Sequence, residues 1–169
     1  MRPTVYVETT VLSYLAARPS RDLVVAAHQR LTAEWWQTAP TRFTLVASAV
    51  VTQEAAAGDP HVAGARLALL AGVPLLEVTP EALALAAGLL RAGHLPLKAD
   101  FDALHLAVAA VGRADYLVTW NMRHLAGAVV RRRLERALRA AGYEPPTLCT
   151  PEELLAAPDQ ENQGGSADE

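Results

Sequence analysis

The chain has 169 residues, of which 51% are hydrophobic and 5% aromatic, so it suits a single domain and is too apolar to be disordered throughout. It carries 15 lysine and arginine residues against 18 aspartate and glutamate residues, which gives a net charge of −3 at pH 7. This balance excludes a strongly basic surface that would coat nucleic acid, although it leaves a local basic patch open.

Short β-branched runs alternate with longer helical patterns, an order typical of βαβ units and a parallel sheet. The predicted strands, the last of them an edge strand, are 4–7, 43–47, 75–78, 116–119 and 147–149. The predicted helices lie near 11–18, 20–35, 48–57, 61–70, 80–92, 100–111 and 127–141, with a short one from 151. Ser20 and Thr79 are the predicted N-caps of the second and fifth helices, because a hydroxyl at this position accepts a backbone N–H.

These elements predict an α/β protein with three layers, α/β/α, around a central, mainly parallel sheet of four or five strands. We expect one domain over residues 1–157 and a disordered polar tail over residues 158–169, which are rich in glycine and acidic side chains. The single cysteine fits a reducing compartment. No apolar run approaches the roughly 18–20 residues that cross a bilayer, so we expect a cytoplasmic protein without membrane contact.

Polar side chains cluster where the predicted strands end, at the edge of an open parallel sheet where ligands bind. The side chains at this edge are Glu8, Thr9, Glu54, Asp102, Thr119 and Asn121. Neighbouring carboxylates repel one another unless a cation joins them, and oxygen ligands without a thiolate suit Mg²⁺ or Mn²⁺. Such an ion binds phosphate oxygens as well, which indicates phosphoryl chemistry.

Each of these acids also has a structural interpretation. Glu8 or Glu54 alone could be a helix cap or a solvated group, and Asp102 could interact with the dipole of its own helix. His105 follows Asp102 by three residues and could share its helix face, where a supporting role is expected. Spacing alone therefore leaves both interpretations open.

Four segments in a fixed order resemble the PIN-domain family, and most closely its VapC-type branch of toxin ribonucleases. They are Y-V-E-T-T-V-L-S-Y-L, Q-E-A, D-A-L-H-L-A and Y-L-V-T-W-N. The resemblance covers nearly the whole chain. It implies a ribonuclease that uses Mg²⁺ or Mn²⁺ to cleave single-stranded RNA, frequent homodimers, and in many members a small antitoxin partner.

By position, Glu8, Glu54 and Asp102 correspond to the first three acids of the family, and Asn121 lies where many relatives have a fourth. Two of these residues depart from the pattern, because the first acid is usually the shorter aspartate and Asn121 carries no charge. The resemblance implies that Glu8 and Asp102 hold the principal ion, directly or through water. Glu54 would orient or deprotonate the attacking water, while Thr119 and Asn121 would complete the polar rim.

In an acidic protein, the positively charged side chains that contact RNA must be concentrated in a local patch. Arg18 and Arg21, on the loop after the first helix, are the predicted phosphate contacts, and the hydroxyls of Thr9 and Thr119 could add to them. A second set of arginines lies on one face of the helix after Gly127 and is either a solvated face or a surface for an acidic antitoxin segment. These arginines are Arg132, Arg136 and Arg139.

The predicted function is hydrolysis of phosphodiester bonds in single-stranded RNA by a metal-dependent endoribonuclease, the toxin of a type II toxin-antitoxin pair. Two alternatives remain. One is a housekeeping PIN-like nuclease without an antitoxin. The other is a catalytically weak PIN-like module that binds RNA or protein. This alternative is suggested by Glu8 and Asn121, the two residues that depart from the family pattern.

Overall fold

The structure, a computed structural model, describes residues 1–156, so the predicted tail lies outside the described residues. The strands are β1 (Thr4–Val7), β2 (Thr44–Ser48), β3 (Leu75–Leu76), β4 (Tyr116–Val118) and β5 (Thr147–Cys149). The α-helices are α1 (Thr9–Ala16), α2 (Leu23–Arg42), α3 (Ala49–Ala55), α4 (Pro60–Leu69), α5 (Pro80–Arg91), α6 (Asp100–Val111), α7 (Ala128–Ala140) and α8 (Pro151–Ala156). A π-helical turn, Met122–Ala126, precedes α7.

The five strands form one sheet in the order β3-β2-β1-β4-β5, and every neighbouring pair is parallel. Helices connect and flank the strands, so the predicted three-layer α/β class is confirmed, with five strands. The predicted edge strand, β5, pairs with β4 alone. Within residues 1–156, no helix combines the length and the hydropathy that crossing a membrane requires.

The central strand β1 sits in the middle of the core. Its residues Val5, Tyr6 and Val7 are fully buried, as expected for a parallel strand with helices on both faces. Tyr6 is in register with Val46 of β2 on one side and Leu117 of β4 on the other. The residue that follows β1 is therefore held between the ends of two neighbouring strands.

The second helix begins later than predicted. Asp22, not Ser20, is its N-cap, and its carboxylate accepts a hydrogen bond from the backbone N–H of Val25 at 2.9 Å. The hydroxyl of Ser20 instead accepts from the backbone N–H of Asp22 at 3.1 Å. The predicted cap of the fifth helix is confirmed, because Thr79 accepts from Ala82 at 3.1 Å.

The π-helical turn was not predicted, and it shapes the chain after β4. The carbonyl of Asn121 accepts from Ala126 at 2.8 Å, a five-residue spacing, and its side-chain oxygen accepts from the backbone N–H of His124 at 3.0 Å. A Cβ on Gly127 would lie 2.4 Å from the carbonyl oxygen of Met122, so only glycine allows this close approach. The turn places Asn121 and His124 beside α6.

Candidate active site

Glu8 follows β1 directly and is the N-cap of α1, which fixes its side chain at the carboxyl edge of the sheet. Its Oε2 atom accepts three hydrogen bonds, from the N–H of Thr10 at 3.0 Å, the hydroxyl of Thr10 at 2.5 Å and the hydroxyl of Thr119 at 2.7 Å. The residue is only 3% exposed. Glu8 is therefore a buried carboxylate with one oxygen fully engaged.

The other oxygen of Glu8, Oε1, accepts no hydrogen bond from any of residues 1–156. The Nε2 atom of His105 lies 4.0 Å from it. Burial raises the pKa of Glu8 above its ordinary value, although His105 and the hydrogen bonds from Thr10 and Thr119 oppose the rise. A cation placed at Oε1 would offset this cost of burying the charge.

Glu54 lies in the last turn of α3. Both hydrogen bonds that its carboxylate makes with residues 1–156 involve the Oε2 atom. Thr9 donates its hydroxyl at 2.7 Å, and the Nε2 atom of His105 lies 2.5 Å away. Burial alone would raise the pKa of Glu54, but the hydrogen bond and charge of His105, with help from Thr9, lower it below the ordinary value. The side chain of Glu54 is 28% exposed, whereas that of Glu8 is 4% exposed, so Glu54 is the more accessible of the two carboxylates.

His105 connects these two acids to the core. It is fully buried on α6, and its Nδ1 atom lies 2.8 Å from the hydroxyl of Tyr6. The same hydroxyl lies 2.7 Å from the Oγ atom of Ser48, which caps α3 by position without a side-chain capping bond. Sequence reasoning gave His105 only a supporting role. Its three-residue spacing from Asp102 was the one available signal.

Asp102 belongs to a second group of contacts, beside the first. Its Oδ1 atom accepts from the side-chain N–H of Asn121 at 2.8 Å, and its Oδ2 atom lies 2.7 Å from Nδ1 of His124. The Nε2 atom of His124 is buried without a hydrogen-bond partner in the described part of the chain. The Oγ atom of Thr119, which donates to Glu8, also accepts from the backbone N–H of Asn121 at 2.9 Å, and this joins the two groups.

The structure thus brings most of the predicted site residues to one edge of the sheet, in two groups. Glu8, Glu54 and His105 have donor atoms that all lie within 4.8 Å of one another, and within residues 1–156 they are the one group of three such side chains whose spacing could hold a metal ion. Asp102 is not a member of it, so its assignment to the ion stays a prediction.

The predicted substrate contacts fall in different places. The hydroxyls of Thr9 and Thr119 donate to Glu54 and Glu8, so both face the carboxylates. Arg18 and Arg21 are exposed on the loop between α1 and α2. Contact of any of these four residues with a substrate stays a prediction.

The fold and the site together define an α/β protein with a carboxylate–histidine cluster at the carboxyl edge of a parallel sheet. Two acidic oxygens and an imidazole nitrogen are a donor set that fits a divalent cation. No protein-family model matches the chain, and no curated protein sequence does.

Among solved structures, the chain is similar to the crystal structure of VapBC2 from Rickettsia felis bound to a DNA fragment from their promoter. The two chains are 13% identical, the match covers 87% of this chain and 98% of that chain, and the TM-score is 0.49. Function at such low identity is inferred from the side chains of the site.

Proposed function

We propose that the protein is a metal-dependent endoribonuclease of the PIN-domain family that hydrolyses phosphodiester bonds of single-stranded RNA. The observation that carries this proposal is the convergence of Glu8 and Glu54, from separate βα units, on His105 at the carboxyl edge of the sheet. The order of the sequence segments that resemble the VapC-type branch supports the same assignment. A partly exposed acid, Glu54, beside the buried Glu8 gives the site both a group that reaches water and an ion ligand.

Glu54 is the residue that acts on the attacking water. Its pKa lies below the ordinary value, so it is ionised at neutral pH and can accept a proton. Both of its hydrogen bonds within residues 1–156 fall on Oε2, which leaves Oε1 to face a water molecule. The water oxygen attacks phosphorus and its proton passes to Glu54, while the bond from phosphorus to the leaving oxygen breaks and that oxygen takes up a proton from solvent.

Glu8 would hold the Mg²⁺ or Mn²⁺ ion, and Asp102 would approach the ion directly or through water. When bound, the ion polarises the phosphoryl oxygens and offsets the negative charge that develops there. Thr10 and Thr119 hold Glu8 in place through its Oε2 atom, so its carboxylate cannot rotate away from the site. Asn121 fixes Asp102 through the hydrogen bond from its side-chain N–H.

Phosphate groups of the RNA would contact Arg18 and Arg21, which are exposed on the loop that follows α1. The hydroxyls of Thr9 and Thr119 line the carboxylates and would lie close to the scissile phosphate. Because the protein has a net charge of −3, these two arginines supply local positive charge that the average surface lacks.

We also propose that the protein is the toxin of a type II toxin-antitoxin pair and that the antitoxin binds α7. Exposed arginines and Val129, which is 83% exposed, line a surface cavity of about 800 Å³ on this helix. The arginines that line the cavity are Arg132, Arg133 and Arg136. Positive charge around an exposed apolar side chain suits an acidic segment that carries one apolar residue.

A homodimer is proposed as well. Leu23 and Val24, adjacent at the start of α2, are 85% and 64% exposed, and a second copy of the chain would cover this apolar surface. Sedimentation equilibrium of the wild-type protein and of a Leu23→Ser variant is the measurement. The variant is expected to dissociate at a higher protein concentration than the wild type.

The proposed activity is tested by incubating purified protein with single-stranded RNA and Mn²⁺ and sequencing the new RNA ends. Wild-type protein is expected to cut at discrete positions, and Glu54→Gln and Asp102→Asn are expected to lose this cleavage while they keep their circular dichroism spectrum. Cleavage by Glu54→Gln at the wild-type rate would contradict the proposal. Binding of RNA without any cleavage by the wild type would favour the weak binding module instead.

A further inference from the structure

We infer that His105 is a nitrogen ligand of a divalent first-row transition ion that it holds together with Glu8 and Glu54, so that the site binds Mn²⁺ in preference to Mg²⁺. The inference rests on the proposed function only for the role of the ion in the reaction. The binding site itself follows from the contacts of these three side chains. All three were brought together by the fold from different segments of the chain.

The spacing of the donor atoms suits a common ion. Ligand atoms that each lie about 2.1 Å from one ion stand roughly 3 to 3.5 Å apart. The Nε2 atom of His105 lies 2.5 Å from Oε2 of Glu54 and 4.0 Å from Oε1 of Glu8. An ion that binds both pairs of atoms therefore requires the first of these distances to widen and the second to narrow.

The partner of the other ring nitrogen favours a role as ligand. A histidine that binds a metal usually donates its second ring N–H to a fixed acceptor, which sets the tautomer. Nδ1 of His105 faces the hydroxyl of Tyr6 at 2.8 Å, and that hydroxyl can donate in turn to Ser48 at 2.7 Å. In the tautomer that carries its proton on Nδ1, the lone pair of Nε2 is directed at the two carboxylates, where a cation would bind it.

Glu8 supplies a second and independent observation. It is 3% exposed, and its Oε1 atom, the oxygen nearest to Nε2 of His105, accepts no hydrogen bond from the described residues. The carboxylate is almost wholly removed from solvent, and a cation at Oε1 would offset the cost of burying its charge. The Oε1 atom is thus available to a positively charged occupant between Glu8, Glu54 and His105.

An imidazole ligand changes which ion the site selects. Mg²⁺ takes oxygen ligands and gives up water reluctantly, whereas imidazole suits first-row transition ions. Three protein ligands also leave positions open for water and for a phosphate oxygen. A site of two carboxylates and one imidazole thus holds Mn²⁺ more tightly than Mg²⁺.

The first test needs no variant. Mn²⁺ is added at one equivalent to the full-length protein without RNA, and pulsed electron paramagnetic resonance measures nitrogen hyperfine coupling. The expected result is one nitrogen coupling, which changes to the pattern of ¹⁵N when the histidines are labelled. A bound Mn²⁺ without nitrogen coupling would overturn the inference.

The second test compares two histidines. His105→Gln is expected to weaken Mn²⁺ binding by about tenfold or more, with much less effect on Mg²⁺, measured by isothermal titration calorimetry. His124→Gln is the matched control, because His124 contacts Asp102 and not the three ligands, and it is expected to keep the nitrogen coupling. Loss of the coupling in His124→Gln, or an unchanged ratio of the two affinities in folded His105→Gln, would contradict the assignment.

These measurements are independent of RNA cleavage. If His105→Gln does not fold, the labelled wild-type spectrum decides. A protein that shows the nitrogen coupling but cleaves no RNA would support the metal site and contradict the proposed function. A protein that cleaves RNA with Mn²⁺ bound but without nitrogen coupling would support the proposed function and contradict the metal site with His105 as a ligand.

Discussion

The Nε2 atom of His105 lies 2.5 Å from Oε2 of Glu54, and this contact joins the first turns of α6 to the end of α3 at the carboxyl edge of the sheet. His105 is fully buried, whereas Glu54 reaches solvent. The pair thus connects the core to the surface of the site. Its geometry depends on Tyr6, because the hydroxyl of Tyr6 holds the opposite side of the imidazole ring.

Replacing Tyr6 by phenylalanine tests this dependence. In Tyr6→Phe, the Nδ1 atom of His105 and the Oγ atom of Ser48 both lose a buried hydrogen-bond partner. We expect the free energy of unfolding, measured by urea denaturation, to fall by about 1–3 kcal/mol. We also expect weaker Mn²⁺ binding, since the ring is no longer held.

Tyr143→Phe is the matched control. Its hydroxyl donates to Glu81 at 2.7 Å in an exposed hydrogen bond, so water can replace the lost partner. The stability of this variant is expected to stay close to that of the wild type. Equal stabilities of the two phenylalanine variants would show that the hydrogen bonds of the Tyr6 hydroxyl with Ser48 and His105 make no contribution to the free energy of unfolding.

Much of the site edge could be predicted from the sequence, because strand ends follow from short β-branched runs. The positions of Glu8 and Thr119 after buried strands placed both at the correct edge. Contact between His105 and Glu54 could not be predicted, since it depends on how α3 and α6 pack across the sheet and has no local spacing. The contacts of Asp102 with Asn121 and His124 could not be predicted for the same reason.

The turn after β4 was missed for a different reason. A π-helical turn has no periodic apolar pattern, and here it depends on the cap of Asn121 and on the close approach of Gly127 to Met122. Both features arise from backbone geometry. The sequence signals for α7, in contrast, predicted its bounds to within a residue.

The ion pair between Arg131 and Glu153 predicts a pH dependence of stability. Two hydrogen bonds, at 2.8 and 3.0 Å, join their side chains, and the backbone N–H of Thr150 also donates to Glu153. Burial alone would raise the pKa of Glu153, but these contacts lower it below the ordinary value. A carboxyl with a lowered pKa in the folded state stabilises the protein above its unfolded pKa, and this contribution is lost as the pH falls through the folded pKa.

Glu153→Gln is therefore expected to reduce the free energy of unfolding by about 0.5–1 kcal/mol at pH 7, since the pair is partly exposed. The difference from the wild type is expected to decrease below the ordinary glutamate pKa of about 4.3 and to vanish once the pH lies below the lowered pKa of Glu153 in the folded protein. Glu144→Gln is the control, because Glu144 and Arg139 are largely exposed and 3.4 Å apart. A difference for Glu153→Gln that persists unchanged in acid would contradict this explanation.

Two glycine substitutions separate close packing from helix propensity. Gly127→Ala places a Cβ 2.4 Å from the carbonyl oxygen of Met122, whereas a Cβ on Gly88, inside α5, meets no atom within 4 Å. We expect Gly127→Ala to lower the free energy of unfolding by about 1–3 kcal/mol and to loosen the turn that holds His124. Gly88→Ala is expected to raise it by up to about 1 kcal/mol.

Chemical denaturation of both variants measures the two effects. The substitution, glycine to alanine, is the same in each. Amide exchange at His124 adds a local readout, because its N–H donates to Asn121 at 3.0 Å. Faster exchange is expected in Gly127→Ala and not in Gly88→Ala. Equal stability of Gly127→Ala and the wild type would mean that the turn accommodates a methyl group.

The salt dependence of RNA binding distinguishes the two arginine surfaces. Arg18 lies on the loop after α1, and Arg132 lies on the exposed face of α7. Each lost phosphate contact reduces the slope of log K against log salt by about 0.7 for single-stranded nucleic acid. With Glu54→Gln as the uncut background, Arg18→Ala is expected to reduce the slope by this amount and Arg132→Ala to leave it unchanged. A reduced slope for Arg132→Ala alone would move the RNA contact to α7 and contradict the assignment of that helix to an acidic partner.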